Sequence, residues 1–271
     1  MTYLKNLLYG IALGIANVIP GLSAGTLAVI FGVFDRMIAS ISGFFRDIKG
    51  NLKFLIPLGI GMGVGILAFA NIFEFLIASY PVATNFFFIG IVLGSFPMLW
   101  RKSTDGGFKI KHLIGFFAAL AVMIAMYVFS PIDHEAVHTL DLQIGLKLFF
   151  SGIVAAFAMI IPGISGSFML LLLGCYSTII AAVSDLNIPM LIILAAGCGI
   201  GVLLGSMIID KLLKAHSHAT YFTILGLVVG SLPHMYPGFS YNLEGIIAVI
   251  LMILGAVIAY WFSRPKGEAT E

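Results

Sequence analysis

Charged residues are scarce in this chain of 271 residues. Asp, Glu, Lys and Arg together make up only 10% of it, whereas hydrophobic residues make up 61% and the mean hydropathy is +1.12. Because soluble domains carry about 25% charged residues, this composition excludes a soluble globular fold, and it leaves no basic patch for nucleic acid. The sequence therefore predicts an all-α, multi-pass membrane protein.

Cysteine is also rare, and a cleavable signal peptide is lacking. Cys175 and Cys198 lie in apolar segments without metal-ligand spacing, so we interpret both as small buried residues and expect no disulfide. The N-terminal segment holds one Lys and no small-residue cleavage site after a short apolar core, so we expect it to belong to the fold.

One short stretch resembles a zinc site. Residues 134–138 read His-Glu-Ala-Val-His, the spacing that places two zinc ligands and a general base on one helix face. The stretch follows Pro131 in a short polar segment, and only Asp141 offers a third ligand nearby. We interpret the match as coincidental and predict no metal site.

What the chain does contain is an interrupted helix that occurs twice. Residues 19–25 read Ile-Pro-Gly-Leu-Ser-Ala-Gly, and residues 161–167 read Ile-Pro-Gly-Ile-Ser-Gly-Ser. Pro breaks a helix, Gly permits the tight turn, and the following Ser can cap a new helix. Interruptions at corresponding positions of two halves point to the binding site of a transporter, although tight helix packing through small residues is an alternative explanation.

The internal likeness extends well beyond these segments. At a constant spacing, the pairs are Lys5 and Lys147, Gly10 and Gly152, Pro20 and Pro162, Ser23 and Ser165, and Gly32 and Gly174. A slightly shorter spacing then pairs Gly61 with Gly197, Gly90 with Gly226, Gly94 with Gly230, and Pro97 with Pro233. We infer a duplication, with repeat 1 at 1–131 and repeat 2 at 144–263, and we expect the mid-span glycines to form close helix–helix contacts.

Each repeat divides in the same way. An interrupted segment (4–41 or 146–183) precedes three unbroken apolar segments, which are 54–79, 82–100 and 112–130 in repeat 1 and 189–209, 220–236 and 244–262 in repeat 2. A limb of the interrupted segment has about 14–18 residues, and 14 helical residues reach about 21 Å, short of a hydrocarbon core of about 30 Å. We therefore predict re-entrant hairpins, with two short tilted spans as the alternative.

The basic residues predict the orientation. If the N-terminus lies inside, every Lys and Arg except Lys147 falls on the inner side of the membrane. The pattern predicts that both termini are cytoplasmic and, because each repeat then crosses three times, that the repeats have inverted topology. The inner basic residues are Lys5, Arg36, Arg46, Lys49, Lys53, Arg101, Lys102, Lys109, Lys111, Lys211, Lys214, Arg264 and Lys266.

Inverted hairpins would bring two new helix N-termini together near the bilayer midplane. Their unpaired N–H groups and nearby hydroxyls form a cradle for a carboxylate or a phosphate, and small residues let the anion approach the backbone. The predicted phosphate-binding residues are Asn17, Pro20, Gly21, Ser23, Ala24, Gly25 and Thr26 in repeat 1, and Pro162, Gly163, Ser165, Gly166 and Ser167 in repeat 2.

The charge of this cradle is incomplete. Two helix ends supply about +1 together, whereas a phosphate monoester carries about −1.5 to −2. We therefore expect a coupling proton, a cation or a basic side chain to complete the site, with Lys5, Arg36 and Lys147 as candidates. The alternative is that these three side chains anchor the protein at the membrane interface. No organic cofactor is expected.

Residues 14–26, with the sequence Gly-Ile-Ala-Asn-Val-Ile-Pro-Gly-Leu-Ser-Ala-Gly-Thr, resemble the N-terminal motif of the bacterial polyprenyl-phosphate transporters, a membrane family formerly called a domain of unknown function. The resemblance covers nearly the whole chain and departs mildly at Ala24, where Gly is expected. It implies translocation of undecaprenyl phosphate across the cytoplasmic membrane, which recycles the lipid carrier of peptidoglycan synthesis. Alternating access of the two repeats is the expected mechanism.

Two other functions stay open at this point. The undecaprenyl-pyrophosphate phosphatases also resemble inverted repeats with Pro- and Ser-rich hairpins, but they carry a Glu, a His and an Arg where this chain has Asn17, Thr26 and Gly166-Ser167. Hydrolysis would then lack its base and its phosphate-binding Arg. A transporter that exports a small anion could use the same cradle.

Overall fold

The chain is described by a computed structural model that covers residues 2–18, 23–105, 107–128, 136–239 and 241–263. The structure is 84% helical, and the described residues contain no strand. The predicted all-helical class is therefore confirmed.

The described part of the first half contains six α-helices and one short 3₁₀ turn. They are α1 (Thr2–Val18), α2 (Ala24–Ile30), α3 (Phe34–Ser42), α4 (Ile48–Ser79), α5 (Pro81–Thr104), the 3₁₀ turn (Ile110–His112) and α6 (Leu113–Val128).

The second half repeats this order of helices. They are α7 (Leu142–Ile160), α8 (Gly166–Leu172), α9 (Tyr176–Ser184), α10 (Ile188–Met235) and α11 (Leu243–Phe262). His216 has non-helical dihedral angles (φ −141°, ψ 50°) and bends α10. Helix α10 thus corresponds to both α4 and α5, and the predicted spans 189–209 and 220–236 are joined in one bent helix.

Helix starts follow from local side chains. Asp47 caps α4 by accepting a hydrogen bond from the N–H of Gly50 at 2.9 Å, and Asp141 caps α7 through the N–H of Ile144 at 2.7 Å. Asn242 caps α11 in the same way. Each cap satisfies an N–H that the helix itself leaves unpaired.

Each interrupted segment also contains a glycine turn, after the Pro-Gly break, that the sequence does not predict. Gly32 (φ +66°) ends α2, and α3 leaves at a bend of 118°. The N–H of Gly32 donates to the carbonyl of Val29, and the N–H of Val33 donates to that of Ala28, both at 2.9 Å. This is a Schellman motif, and it recurs at Gly174 (φ +61°) between α8 and α9. The outgoing limb is therefore two short helices, not one.

Among the described residues, six helices are long and apolar enough to cross a membrane. They include α7, whose 19 residues exceed the length predicted for a limb, because the helix begins at Leu142, directly after its Asp141 cap, and not at residue 146. The six regions are Ile48–Phe69, Pro81–Thr104, Ile110–Val128, Leu142–Ile160, Ile188–Pro233 and Leu243–Phe262.

The mid-span glycines allow helix backbones to touch, as predicted. A methyl group on Gly61 of α4 would collide with the carbonyl oxygen of Leu7 in α1. In the second half, a methyl group on Gly197 of α10 would likewise collide with the carbonyl oxygen of Phe149 in α7. These positions admit no side chain, because the neighbouring helix backbone fills the space.

The last helices cross between the halves. Gly90 of α5 lies against the backbone of Met252 in α11, and Gly226 of α10 lies against Phe116 in α6. Each half therefore packs its final helix against the other half, so the two repeats form one interlocked bundle.

Two neighbouring glycines of α4 test this packing. We expect Gly61→Ala to lower the thermal unfolding midpoint of the detergent-purified protein, because overpacking costs about 1–3 kcal/mol and exceeds the helix-propensity gain of about 0.5–1 kcal/mol. Gly63→Ala is the matched control, since its added Cβ meets no described atom within 4 Å. Its midpoint should stay the same or rise. Equal midpoints for the two variants would contradict the packing described here.

Candidate functional site

The start of α2, which follows the first Pro-Gly break in the sequence, lies against the second Pro-Gly break. A Cβ on Gly25, near the start of α2, would lie 3.0 Å from the carbonyl oxygen of Ile160 and 3.2 Å from the nitrogen of Pro162. Ala24 and Ile160 belong to the same buried core. The start of α2 is therefore packed directly on the second break. Pro20 and Gly21, which were predicted as site residues, lie outside the described part of the chain.

The first break is closed by its own cap. The hydroxyl of Ser23 accepts a hydrogen bond from the N–H of Gly25 at 3.1 Å, which confirms the predicted capping role. Ser23 is 7% exposed and Thr26 is 3% exposed, and all of α2 is buried. The Gly25 N–H was predicted as a donor to an anion, but here Ser23 already occupies it. Asn17 lies half-buried near the end of α1.

The second break is more open. The Ser165 hydroxyl does not cap α8 and instead lies 2.8 Å from the hydroxyl of Ser167, whose side chain is exposed. Gly163 has a φ of +93°, and a Cβ there would lie 2.8 Å from the carbonyl carbon of Leu227. Only glycine fits this position, because both the dihedral angle and the neighbouring backbone of α10 exclude a side chain.

The new helices at the breaks are short. Helices α2 and α8 have seven residues each, and such a helix is about 10 Å long. Few aligned peptide dipoles stand behind each N-terminus, so local N–H groups and hydroxyls contribute most of what a site here offers. At the second break, Ser167 is exposed and Ser165 is partly exposed, whereas Gly166 is buried, so the accessible groups there are the two serine hydroxyls.

In the described part of the chain, the three predicted cations bond to groups away from the breaks. Lys5 lies over the ring of Tyr9 in its own helix at 5.5 Å, and Lys147 donates a hydrogen bond to the carbonyl of Gly174 at 3.0 Å. Both lysines are about 20 Å along their helices from the break. Arg36 lies beyond the far end of α2, with its guanidinium 4.4 Å from the centre of the Phe54 ring. These contacts anchor the side chains away from the cradle.

A partly exposed polar cluster near α3, built around the buried Tyr221, is not predicted by the sequence. The ammonium group of Lys102 lies 2.8 Å from Asp35 and 2.7 Å from the Tyr221 hydroxyl, which in turn donates to Asp35. Tyr221 is 3% exposed. The cluster joins α3, α5 and α10. The only signal in the sequence is the assignment of Arg36, the neighbour of Asp35, and Lys102 to the same side, since no local spacing relates the residues of the cluster.

An apolar cavity of about 690 Å³ lies beside the first break. It is bounded by α1, α2, α4, α5 and α11, and Ile15, Leu27, Phe69, Phe87 and Ile247 are among its lining residues. Its wall is almost entirely hydrocarbon, so it suits an apolar chain better than a hydrated solute.

The stretch that resembles a zinc site is only partly described, because His134 and Glu135 lie outside the described residues. The imidazole Nδ1 of His138 lies 2.8 Å from the carboxylate of Asp185. Within the described residues, no three His, Cys, Asp or Glu side chains are grouped closely enough to hold a metal ion. Cys175 and Cys198 are free thiols.

Comparison with known proteins identifies the family. A family model named VCA0040-like, and described as undecaprenyl phosphate translocase-like, matches residues 13–244. A polyprenyl-phosphate transporter of Staphylococcus aureus (strain NCTC 8325 / PS 47) is 37% identical over 274 residues, which cover 97% of each chain. A protein of the same name from Vibrio cholerae serotype O1 is 33% identical over 253 residues, or 88% of this chain and 79% of that protein. No solved structure matches.

These matches span most of the chain and agree with the resemblance at residues 14–26. This multi-pass membrane protein belongs to the undecaprenyl phosphate translocase-like family.

Proposed function

We propose that this protein translocates polyprenyl phosphate, such as undecaprenyl phosphate, across the bacterial cytoplasmic membrane. The observation that carries the proposal is the contact of Gly25, at the start of α2, with Ile160 and Pro162 at the second Pro-Gly break, which gives one shared place for a headgroup. The names of the two relatives, polyprenyl-phosphate transporters, support the substrate class.

The phosphate binds mainly at the second break. Ser165 and Ser167 present two hydroxyls, and the N–H groups of Gly166 and Ser167 lie at the start of α8. The first break adds the segment from Ser23 to Thr26 when the packing around α2 loosens. Because these donors are neutral, a proton or a cation accompanies the phosphate through the centre of the membrane.

The polyprenyl tail occupies the apolar cavity beside α2. The cavity begins near Ile15 and Leu27, close to the first break, and extends to Ile247 on the half-exposed face of α11. A lipid phosphate needs a polar headgroup site next to an apolar path, and these two features are adjacent here.

The repeats have inverted topology, with both termini in the cytoplasm. Two of the three ion pairs among the described residues support this, because Lys102–Asp35 and His138–Asp185 each join distant segments that this topology places on one side. The third pair, Lys214–Asp210, lies within α10. The breaks support re-entrant hairpins: helices α1 and α7 end at them, and helices that crossed fully from opposite sides would end on opposite faces. Alternating access then moves one half against the other, with bends at Gly32, Gly174 and His216.

Removal of the two hydroxyls of the second break tests the phosphate site. We expect the double variant Ser165→Ala/Ser167→Ala to translocate polyprenyl phosphate at least about tenfold more slowly in proteoliposomes, because each hydrogen bond to a charged group contributes about 1.5–3 kcal/mol. Ser184→Ala, an exposed serine at the end of α9, is the control and should transport normally.

An unchanged rate in the double variant would contradict a phosphate site at the second break. The same vesicles are assayed for inorganic phosphate after addition of the pyrophosphate lipid. Release of phosphate by the wild-type protein would favour a membrane phosphatase over a transporter.

A bulky residue in the apolar cavity tests the path of the tail. Ile247→Trp should slow transport of a long-chain polyprenyl phosphate several-fold and affect a two-isoprene analogue less, because only the long chain fills the cavity. Ile246→Trp places the same ring on the neighbouring, more exposed position of α11, which does not line the cavity. Equal effects of the two variants on both lipids would exclude this path.

A further inference from the structure

A polar cavity of about 690 Å³ lies between α3 and α10, apart from both Pro-Gly breaks. The end of α3 and the start of α4 contribute Ser42, Arg46 and Asn51 to its wall, and α10 contributes Asp210, Lys211 and Lys214. Unlike the cavity beside α2, this one is lined about equally by polar and apolar surface, with Met207 in its apolar part. It concentrates basic groups in a protein that has few of them.

One side of this cavity is organised by hydrogen bonds. The carboxylate of Asp210 accepts from the ammonium group of Lys214 at 2.7 Å and from the Ser42 hydroxyl at 3.0 Å, and its side chain is only 18% exposed. The amide of Asn51 donates to the carbonyl of Gly43 at 2.9 Å. The Ser42–Asp210 bond holds the end of α3 against α10, and the Asp210–Lys214 bond fixes the position of the Lys214 ammonium group.

The charges of the cavity do not cancel. Asp210 is paired with Lys214, whereas no described carboxylate lies within 4.0 Å of Arg46 or Lys211. Two exposed cations therefore remain beside a fixed polar wall. A phosphate monoester carries about −1.5 to −2 near neutral pH, and the fork of an Arg side chain can bind two of its oxygens at once. The net positive charge of the cavity balances the negative charge of a phosphate monoester, whereas the Pro-Gly breaks carry no charged side chain that could do so.

We infer that this cavity is a second binding site for a phosphate monoester, at the cytoplasmic end of the translocation path. The inference rests on the proposed function for its place in transport, while the binding chemistry rests on Arg46 and Lys211 alone. Arg46, Lys211 and Lys214 all fall on the predicted inner side, where a headgroup leaves or joins the path. The phosphate can belong to a lipid headgroup or be a free phosphate, and the two sources share this chemistry.

Binding of two probes to the full-length protein in detergent tests the site. The probes are farnesyl phosphate and inorganic phosphate. The double variant Arg46→Gln/Lys211→Gln should bind farnesyl phosphate at least about tenfold more weakly, because two charge-assisted contacts are lost. The control is Lys109→Gln/Lys111→Gln, which removes the same charge from exposed residues of the same predicted side that do not line the cavity. It should change binding less than about threefold.

A local measurement separates this site from the breaks. Acetylation of Lys211, followed by mass spectrometry, should slow several-fold when farnesyl phosphate is bound, while acetylation of Lys109 stays the same. Protection by farnesyl phosphate alone assigns the site to a lipid headgroup, and equal protection by inorganic phosphate assigns it to the phosphate group from either source. Both results support a phosphate-monoester site.

Four results would overturn the inference. They are unchanged binding in the Arg46→Gln/Lys211→Gln variant, equal weakening in the control, no protection of Lys211 by farnesyl phosphate, and equal protection of Lys211 by phosphatidylglycerol vesicles, which would indicate a general anionic-lipid surface. Failure of the proposed function is distinguishable: a wild-type protein that protects Lys211 but does not translocate lipid keeps this site and loses the function. A protein that translocates without protection keeps the function and loses this site.

Discussion

Backbone satisfaction in an apolar environment is the constraint on which the rest of this structure depends. Lipid offers no partner to an N–H or carbonyl group, so a helix can be interrupted only where protein covers the gap. The chain meets this requirement by packing one interruption on the other, with Gly25 against Ile160 and Pro162. Close contact of backbones requires small residues, and Gly163 beside Leu227 shows how little space remains. A pair of breaks that cover each other is also a pair of breaks that can part.

Much of this arrangement could be predicted from the sequence, because its causes are local. Pro followed by Gly and Ser specifies a break and a cap, and Ser23 caps α2 as expected. Glycines repeated at helical spacing specify close helices, and Gly61 and Gly197 form them. Gly32 matches Gly174 in the internal repeat. A single Gly in an apolar segment does not reveal a left-handed turn, however, until its hydrogen bonds are known.

The rest depends on contacts between residues far apart in the chain. Asp35, Lys102 and Tyr221 come from three helices, and Arg46 and Lys211 line one cavity from different helices and turns. No sequence spacing relates the members of either group. The sequence also could not show that the duplicated breaks differ. Ser23 and Ser165 occupy equivalent positions, yet Ser23 closes its helix while Ser165 turns to Ser167. The difference arises from the surroundings: α2 is buried throughout, whereas Ser167 in the first turn of α8 is exposed.

The different environments of the two equivalent Ser-containing segments bear on how a charged headgroup crosses the protein. A carrier must bind its substrate well enough to take it up and weakly enough to release it. Full cations at the centre would hold a phosphate too firmly, and desolvating them there would be costly. The described cations lie instead towards the helix ends, as with Lys5, Lys147 and Arg46, while the breaks offer neutral donors. In the proposed mechanism, strong attraction therefore acts where water is near, and the central step relies on hydrogen bonds that the other break can replace.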